Sequence, residues 1–179
     1  GYGGSCFPKD TLALLRTAEE TGASLSIVDA ASSSNAERKK RMAEKIIAAC
    51  GGDVKGQTLA VLGVTFKPNT DDMRDAPSLD IIPALQKAGA HIRAYDPEGM
   101  EEASPLLPGT ERMKDENEAM KGADALIILT EWNQFRALDL GHLRESLRKP
   151  IIVDLRNIYT REEMKKAGLA YHSVGLAPA

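Results

Sequence analysis

The chain is short of the groups that mark several large functional classes. Its two cysteines, Cys6 and Cys50, lie far apart and supply neither a disulfide framework nor the spacing of a thiolate metal site. The three histidines, His91, His142 and His172, follow no ligand spacing and read as structural residues, so no metal is expected. Apolar runs such as Ala-Leu-Ile-Ile-Leu-Thr at 125–130 are far too short to cross a bilayer. With 23 Lys and Arg against 26 Asp and Glu, the formal charge of −3 gives no drive toward nucleic acid or an anionic membrane. The basic run at 38–41 reads as a solvated helix face. No charged-then-apolar leader is seen, which makes a cytoplasmic location the expectation, although a chain that starts without methionine does not show its own targeting signal. Also missing is a G-x-G-x-x-G after any strand-like run, the loop that cradles a dinucleotide pyrophosphate.

What is there suits a globular protein: 42% hydrophobic and 27% charged residues over 179 positions, enough to bury a core as one domain with or without a helical extension. From Asp10, Leu12, Leu15 and Ala18 recur at helical spacing until Gly22. A second helix is predicted over Ser26–Ala49, with Val28, Ala31, Met42, Ile46 and Ala49 on one stripe and the serines 32–34 inside it. Cys50 closes that helix. So long a helix with a narrow seam and no sheet yet to lie on suggests pairing with another helix; packing on a domain outside the chain is the other reading. Two glycines and polar residues at 51–57 break both periodicities. Beyond them, strand-type runs at 58–64, 91–95, 123–130, 150–155 and 169–174 alternate with helical segments that begin near Pro77, Asp115, Leu138 and Thr160. That alternation predicts an α/β doubly wound, Rossmann-like parallel sheet. Pro83, inside the first of these helices, should kink it. The organisation expected is therefore 1–50 helical, 51–57 linker and 58–179 sheet domain.

In an open parallel sheet, ligands bind beyond the carboxyl ends of the strands. The segment 65–74 leaves the first strand, Glu131-Trp132 a later one, and Arg156-Asn157 another. Two cations, Lys67 and Arg156, with several amide and hydroxyl donors, would thus face one edge, a receptacle for a diphosphate and sugar hydroxyls. Each also has a plain structural reading: the cations as surface ion pairs, Trp132 as a packed aromatic, Asp96 as an Asp-Pro turn rather than a ribose contact. The opening run GYGGSCFPKD sets Cys6 behind Gly1, Gly3 and Gly4, whose freedom lets the backbone lie close to a ligand. Cys6 is either a small structural residue or a nucleophile, the latter favoured by Lys9 and by a neighbouring helix N-terminus.

GGSCFPKD at 3–10, GVTFKPNTDDMRDAPS at 63–78, AYDP at 94–97, ADALIILTEW at 123–132 and VDLRN at 153–157 stand in that order along the chain. Together they resemble the UDP-glucose/GDP-mannose dehydrogenase family over essentially its whole length. The resemblance implies the carboxy-terminal part of such an enzyme, lacking the amino-terminal domain that binds most of the NAD. It implies oxidation of the primary alcohol of a nucleotide sugar to a carboxylate in two hydride transfers. Cys6 would trap the aldehyde as a thiohemiacetal and then a thioester, and Asp10 would order water or a catalytic lysine. Gly1, Tyr2 and Gly3 would pass close to the sugar, Phe66 and Lys67 would contact the nucleotide sugar, and Arg156 would reach sugar or phosphate. Cys6, Lys9 and Arg74 would face the NAD. The helix near 26–49 would make a homodimer. The motifs lean toward UDP-glucose as substrate and UDP-glucuronate, for polysaccharide, as product, with GDP-mannose or a UDP-N-acetylhexosamine as alternatives. These 179 residues alone would catalyse nothing and would act as a nucleotide-sugar-binding and dimerisation module. A cysteine hydrolase built on Cys6 and a histidine is the rival from another class.

Overall fold

Thr58–Leu62 (β1), His91–Tyr95 (β2), Thr110–Arg112 (β3), Ala125–Ile128 (β4), Ile151–Asp154 (β5) and Ala170–Ser173 (β6) form one sheet in the computed structural model, which describes residues 1–177. Positions 178–179 of the expected sheet domain lie outside the described residues. Every pairing is parallel and the order is β3-β2-β1-β4-β5-β6. Strand order therefore reverses between β1 and β4, where a doubly wound sheet opens its ligand crevice. The two central strands are buried on both faces, which is why they read as continuous apolar runs rather than alternating ones. β3, with its Thr-Glu-Arg sequence at the sheet edge, has no such run, and periodicity alone does not find it.

Helices Phe7–Thr21 (α1) and Ser26–Ala49 (α2) precede the sheet, and Ser78–Lys87 (α3), Met100–Ala103 (α4), Glu116–Met120 (α5), Leu140–Ser146 (α6) and Arg161–Lys166 (α7) alternate with its strands. α1 ends at Gly22, whose φ of 69° is the left-handed cap that glycine adopts most easily. Three of the short helices, α5, α6 and α7, start on side-chain caps: Asp115 accepts from Glu118 N–H, Asp139 from Gly141 and His142 N–H, and Thr160 forms a capping box with Glu163. Pro83 does not break α3. It lies on the exposed side of the helix.

One face of the sheet, with Leu59, Val61, Ile92, Ile127 and Val153, packs on Ile81, Ile82 and Leu85 of α3 and on Ala43 and Ile46 of α2. The other, with Ala60, Leu62, Leu126, Ile128 and Ile152, packs on Ala119, Leu143 and Met164 of α5, α6 and α7. The second helix differs here from expectation. Its carboxy-terminal half has a sheet domain to lie on, because Ala43, Ile46 and Cys50 join the core with Met42, Ile47 and Ala49 beside them. Lys39 is buried on the same side, its Nζ 2.9 Å from Asp80 Oδ2 of α3 and 3.4 Å from the Asp75 carbonyl. The amino-terminal half stays off the sheet core, with Ile27 85% exposed.

Candidate active site

The β1 exit is narrow by construction. Gly63 has φ 82°, and a Cβ there would lie 2.4 Å from Thr130 Cβ at the β4 exit. Only a glycine lets the two central strands leave the sheet so close together. The loop that follows carries Phe66, Lys67 and Arg74, and folds back on itself through Phe66 N–H to the Asp72 carbonyl, 3.2 Å. Asn69 and Asp75 hold positive φ within it, at 59° and 50°. Non-glycine residues take that conformation at a cost that the surrounding contacts must hold, and such residues gather at functional sites.

The cysteine loop docks onto this one. Gly4 N–H donates to the Arg74 carbonyl at 2.8 Å. A Cβ on Gly4 would meet the Phe66 ring at 2.8 Å, and one on Gly3 would meet the Asp75 carbonyl oxygen at 2.4 Å. From the other side Asn35 of α2 grips Tyr2 twice, accepting from its N–H at 2.8 Å and donating to its carbonyl at 3.1 Å. Asn35 carries no sequence signal beyond its place in a polar stretch, and its anchoring role escapes the sequence. Tyr2 and Phe7 stack edge to face, with ring centroids 4.6 Å apart.

Cys6 is exposed at the N-cap of α1, where Phe7 and Pro8 begin the helix. Helix N-termini favour negative charge, and Lys9 and Arg74 both sense the sulfur electrostatically. Its hydrogen-bond partner among the described residues is Ser5 Oγ at 3.5 Å, not a histidine, so the geometry lends the hydrolase reading nothing. Lys9 and Asp10 are paired with each other at the exposed rim, and the Asp10 hydrogen bond is the main reason that the Lys9 ammonium titrates above its ordinary value. Arg74 forks onto Asp72 at 2.9 and 2.8 Å, and that contact holds the Asp72 carboxyl below the usual range.

Arg156 enters from β5. Its Nε lies 2.5 Å from the Leu129 carbonyl and 3.1 Å from Glu131 Oε2, and its Nη2 donates to the Phe66 carbonyl at 3.3 Å. One guanidinium thus ties the exits of β1, β4 and β5. Asn157 beside it, at φ 53°, exchanges two hydrogen bonds with Val174 beyond β6. A cavity of about 60 Å³ runs under this edge, lined by Gly1, Arg38, Lys39, Leu129 and Arg156 among others. Lys67 is exposed above it, its Nζ 5.2 Å from the centre of the Phe66 ring. The structure therefore brings together the loop 1–6, Phe66, Lys67, Arg74 and Arg156. It leaves the three histidines outside this group.

Two carboxylates serve the site from beneath. Asp154, fully buried at the end of β5, accepts from the N–H groups of Arg156, Ile158 and Tyr159 and from the Tyr171 hydroxyl at 2.7 Å. Asp96 is 2% exposed and accepts from the Val64 and Thr65 backbones, the Thr65 hydroxyl, the Glu98 and Gly99 backbones and the Trp132 indole. Asp96 is therefore not free to read a ribose. Trp132 is a packed aromatic rather than a ligand platform. The Val64 and Thr65 amides, the donors with which a dinucleotide fold would hold a pyrophosphate, are already used, so the described residues do not fit NAD at this crevice.

Residues 60–161 match the model of the UDP-glucose/GDP-mannose dehydrogenase family, UDP binding domain, and residues 1–37 match that of its central domain. The chain is 53% identical over 175 residues to a UDP-glucose 6-dehydrogenase of Rhizobium meliloti, covering 98% of this chain and 40% of that protein. It is 45% identical to the UDP-glucose 6-dehydrogenase TuaD of Bacillus subtilis, over 98% of this chain and 38% of that one. The solved structure of a UDP-glucose dehydrogenase from Pyrobaculum islandicum superposes with a TM-score of 0.83 at 33% identity, covering 99% of this chain and 38% of that one. The chain thus spans about 40% of the length of the relatives it matches.

Proposed function

The chain belongs to the UDP-glucose/GDP-mannose dehydrogenase family, and from that membership we propose that its residues serve the NAD-dependent oxidation of UDP-glucose to UDP-glucuronate. The observation that carries this reading is the docking of the cysteine loop on the β1 exit loop through Gly4 N–H and the Arg74 carbonyl, 2.8 Å. That contact brings the loop that carries Cys6 against the β1 exit loop that carries Lys67, which supports the reading.

In this reading Cys6 is the catalytic nucleophile. The S–H bond breaks and its proton passes to water, the sulfur electron pair forms a bond to the aldehyde carbon of the half-oxidised sugar, the carbonyl π pair moves to oxygen, and that oxygen takes a proton back from the protonated water. The covalent bond keeps the aldehyde from escaping. Asp10 holds Lys9 and orders water at the rim. Gly1, Tyr2 and Gly3 face the sugar, Phe66 and Lys67 the nucleotide sugar, and Arg156 both contacts it and fixes the strand exits. NAD supplies the hydride acceptor; its principal site lies in the part of the relatives' length that this chain does not span, with Lys9 and Arg74 facing it from the rim.

Similarity to the UDP-glucose 6-dehydrogenases of Rhizobium meliloti and Bacillus subtilis favours UDP-glucose over GDP-mannose or a UDP-N-acetylhexosamine. The 179 residues taken alone are a binding and dimerisation module that reduces no NAD. Phe7, Leu12, Leu14 and Ile27 on α1 and α2 are half or more exposed and offer the apolar surface for a second copy. Sedimentation tests that part: a strict monomer at high concentration removes it.

Calorimetric titration with UDP-glucose, with GDP-mannose as control, tests the central reading. Binding of UDP-glucose in preference to GDP-mannose, weakened about tenfold by Lys67→Ala, is expected. Equal affinity for both nucleotides, or a Lys67→Ala variant that binds as well as the parent, would overturn it.

A further inference from the structure

We propose that Asp96 and Thr65 are the positioning residues of the substrate loop: the carboxylate closes the switch-point crevice, and the Thr65 hydroxyl transmits that closure to Lys67. The proposal rests on the reading that this loop meets the nucleotide sugar.

Six donors converge on Asp96. Oδ2 takes Val64 N–H at 2.7 Å, Thr65 N–H at 3.2 Å, the Thr65 hydroxyl at 3.1 Å and the Trp132 indole N–H at 3.2 Å. Oδ1 takes Glu98 N–H at 3.1 Å and Gly99 N–H at 2.9 Å. A carboxylate offers about four lone-pair sites, so Oδ2 in particular is oversubscribed. The Thr65 hydroxyl has one hydrogen and two acceptors in reach, Asp96 Oδ2 and the Lys67 carbonyl at 3.0 Å. Two backbone N–H groups and an indole already occupy Oδ2, and backbone donors cannot turn elsewhere. The hydroxyl hydrogen therefore turns chiefly to the Lys67 carbonyl, with Asp96 Oδ2 as its second, weaker acceptor.

Thr65 cannot evade this role by shifting. Its own carbonyl accepts from Thr130 Oγ1 at 2.6 Å. A Cβ on Gly99 would lie 2.3 Å from Thr65 Cγ2, so the turn after β2 closes directly on the threonine methyl. Held by β2, β4 and its own backbone, Thr65 fixes the carbonyl of Lys67 two residues on, and with it the direction in which the ammonium leaves the loop.

Three variants of the 179-residue chain test this, read by amide exchange, by emission of Trp132, the one tryptophan in the sequence, and by UDP titration. Thr65→Val is expected to speed exchange of the Phe66 amide about tenfold or more while the core amide of Ile127 is unchanged. UDP affinity should fall about tenfold with it. Thr65→Ser, which restores the hydroxyl, should return both to the parent values, a rescue that a purely space-filling threonine would not give. Asp96→Asn should shift the Trp132 emission and loosen the same loop; if it does not fold, the Thr65 pair decides. Unchanged Phe66 exchange in Thr65→Val, or no rescue by Thr65→Ser, overturns the proposal. If the parent chain binds no UDP but the exchange pattern holds, the positioning role stands and the nucleotide-sugar reading of the loop fails.

Discussion

Three glycines separate the forces that dock the cysteine loop. Gly22 has φ 69° with open space around its Cβ position, so Gly22→Ala meets only the left-handed backbone penalty, about 1–2 kcal/mol. Gly3 has no such φ, yet its Cβ would stand 2.4 Å from the Asp75 carbonyl oxygen and 3.1 Å from its carbon. Backbone cannot give way there, since Asp75 is itself at φ 50° and its carbonyl also accepts from Lys39. Gly4 combines both, at φ 86° with the Phe66 ring 2.8 Å away. In Gly3→Ala the loop must lift, losing the hydrogen bonds of Gly4 N–H to Arg74 and of Tyr2 to Asn35, three in all. At about 0.5–1.5 kcal/mol each, partly regained from water, undocking costs about 1–3 kcal/mol.

Because α1 and its loop stand outside the sheet core, the loss should be local. If UDP-glucose binding needs the docked loop, affinity falls in proportion to the docked population, about 10- to 100-fold for Gly3→Ala and Gly4→Ala. Gly22→Ala should bind as the parent does while losing some helicity. Calorimetric titration of the three variants gives the comparison, with the amide exchange of Ile127 as a check that the sheet is intact. Equal affinities for Gly3→Ala and Gly22→Ala would refute the idea that docking of this loop builds the site.

Lys67 and Arg156 should separate in the same titration. Lys67→Ala is expected to weaken UDP-glucose binding about tenfold with an unchanged melting temperature, because the side chain is exposed and holds no other strand; Arg156→Lys should lower both, since a lysine cannot hold the Leu129 and Phe66 carbonyls together. Cys50 sets a pH limit. Burial pushes its thiol from an ordinary 9.0 up to about 11, so the stability it contributes is intact below pH 9 and is lost as pH rises through 11, on the order of 2–3 kcal/mol. Denaturant melts of Cys50→Ala should lack that part of the alkaline loss, and a profile identical to the parent's would count against it. Iodoacetamide at pH 8 should label exposed Cys6 and spare Cys50 in the native chain, with UDP-glucose slowing the reaction at Cys6.

The fold was legible where local pattern and tertiary burial ask for the same residues. β1 and β4 lie between neighbours with both faces covered, so their apolar runs stand out, and Ser26–Ala49 keeps helical spacing through its serines. β3 was not legible, because an edge strand of three residues needs only its backbone to pair and leaves the side chains free to be polar. The placement of α2 was half legible. Its stripe was visible, but a stripe does not say what it meets, and the answer lies in α3, which follows more than two dozen residues after it in sequence. Lys39 shows the same limit: in a basic run it reads as solvated, and only Asp80 across the helix pair makes its burial tolerable.

The site divides along another line. Lys67 and Arg74, which reach outward, could be placed from strand order, because what leaves a strand's carboxyl end is fixed by topology, and Cys6 from its motif alone. Residues that hold those groups in place were legible in type, Asp96 as an Asp-Pro turn and Trp132 as a packed aromatic, but not in what they bind. Asp96, Asp154 and Trp132 stand beside the functional positions in sequence, and an acid at the end of β2 invites comparison with a ribose-binding carboxylate. The deciding fact is how many donors each acid already serves. Oδ2 of Asp96 receives the two amides that would otherwise greet a phosphate, so one carboxylate cancels both halves of a dinucleotide site at once. The sheet keeps the strand order of a cofactor-binding fold, while its β1 exit loop carries Lys67 outward and takes the docked cysteine loop. In the proposed reading, the carboxylate that closes the crevice also holds the outer loop that meets the nucleotide sugar.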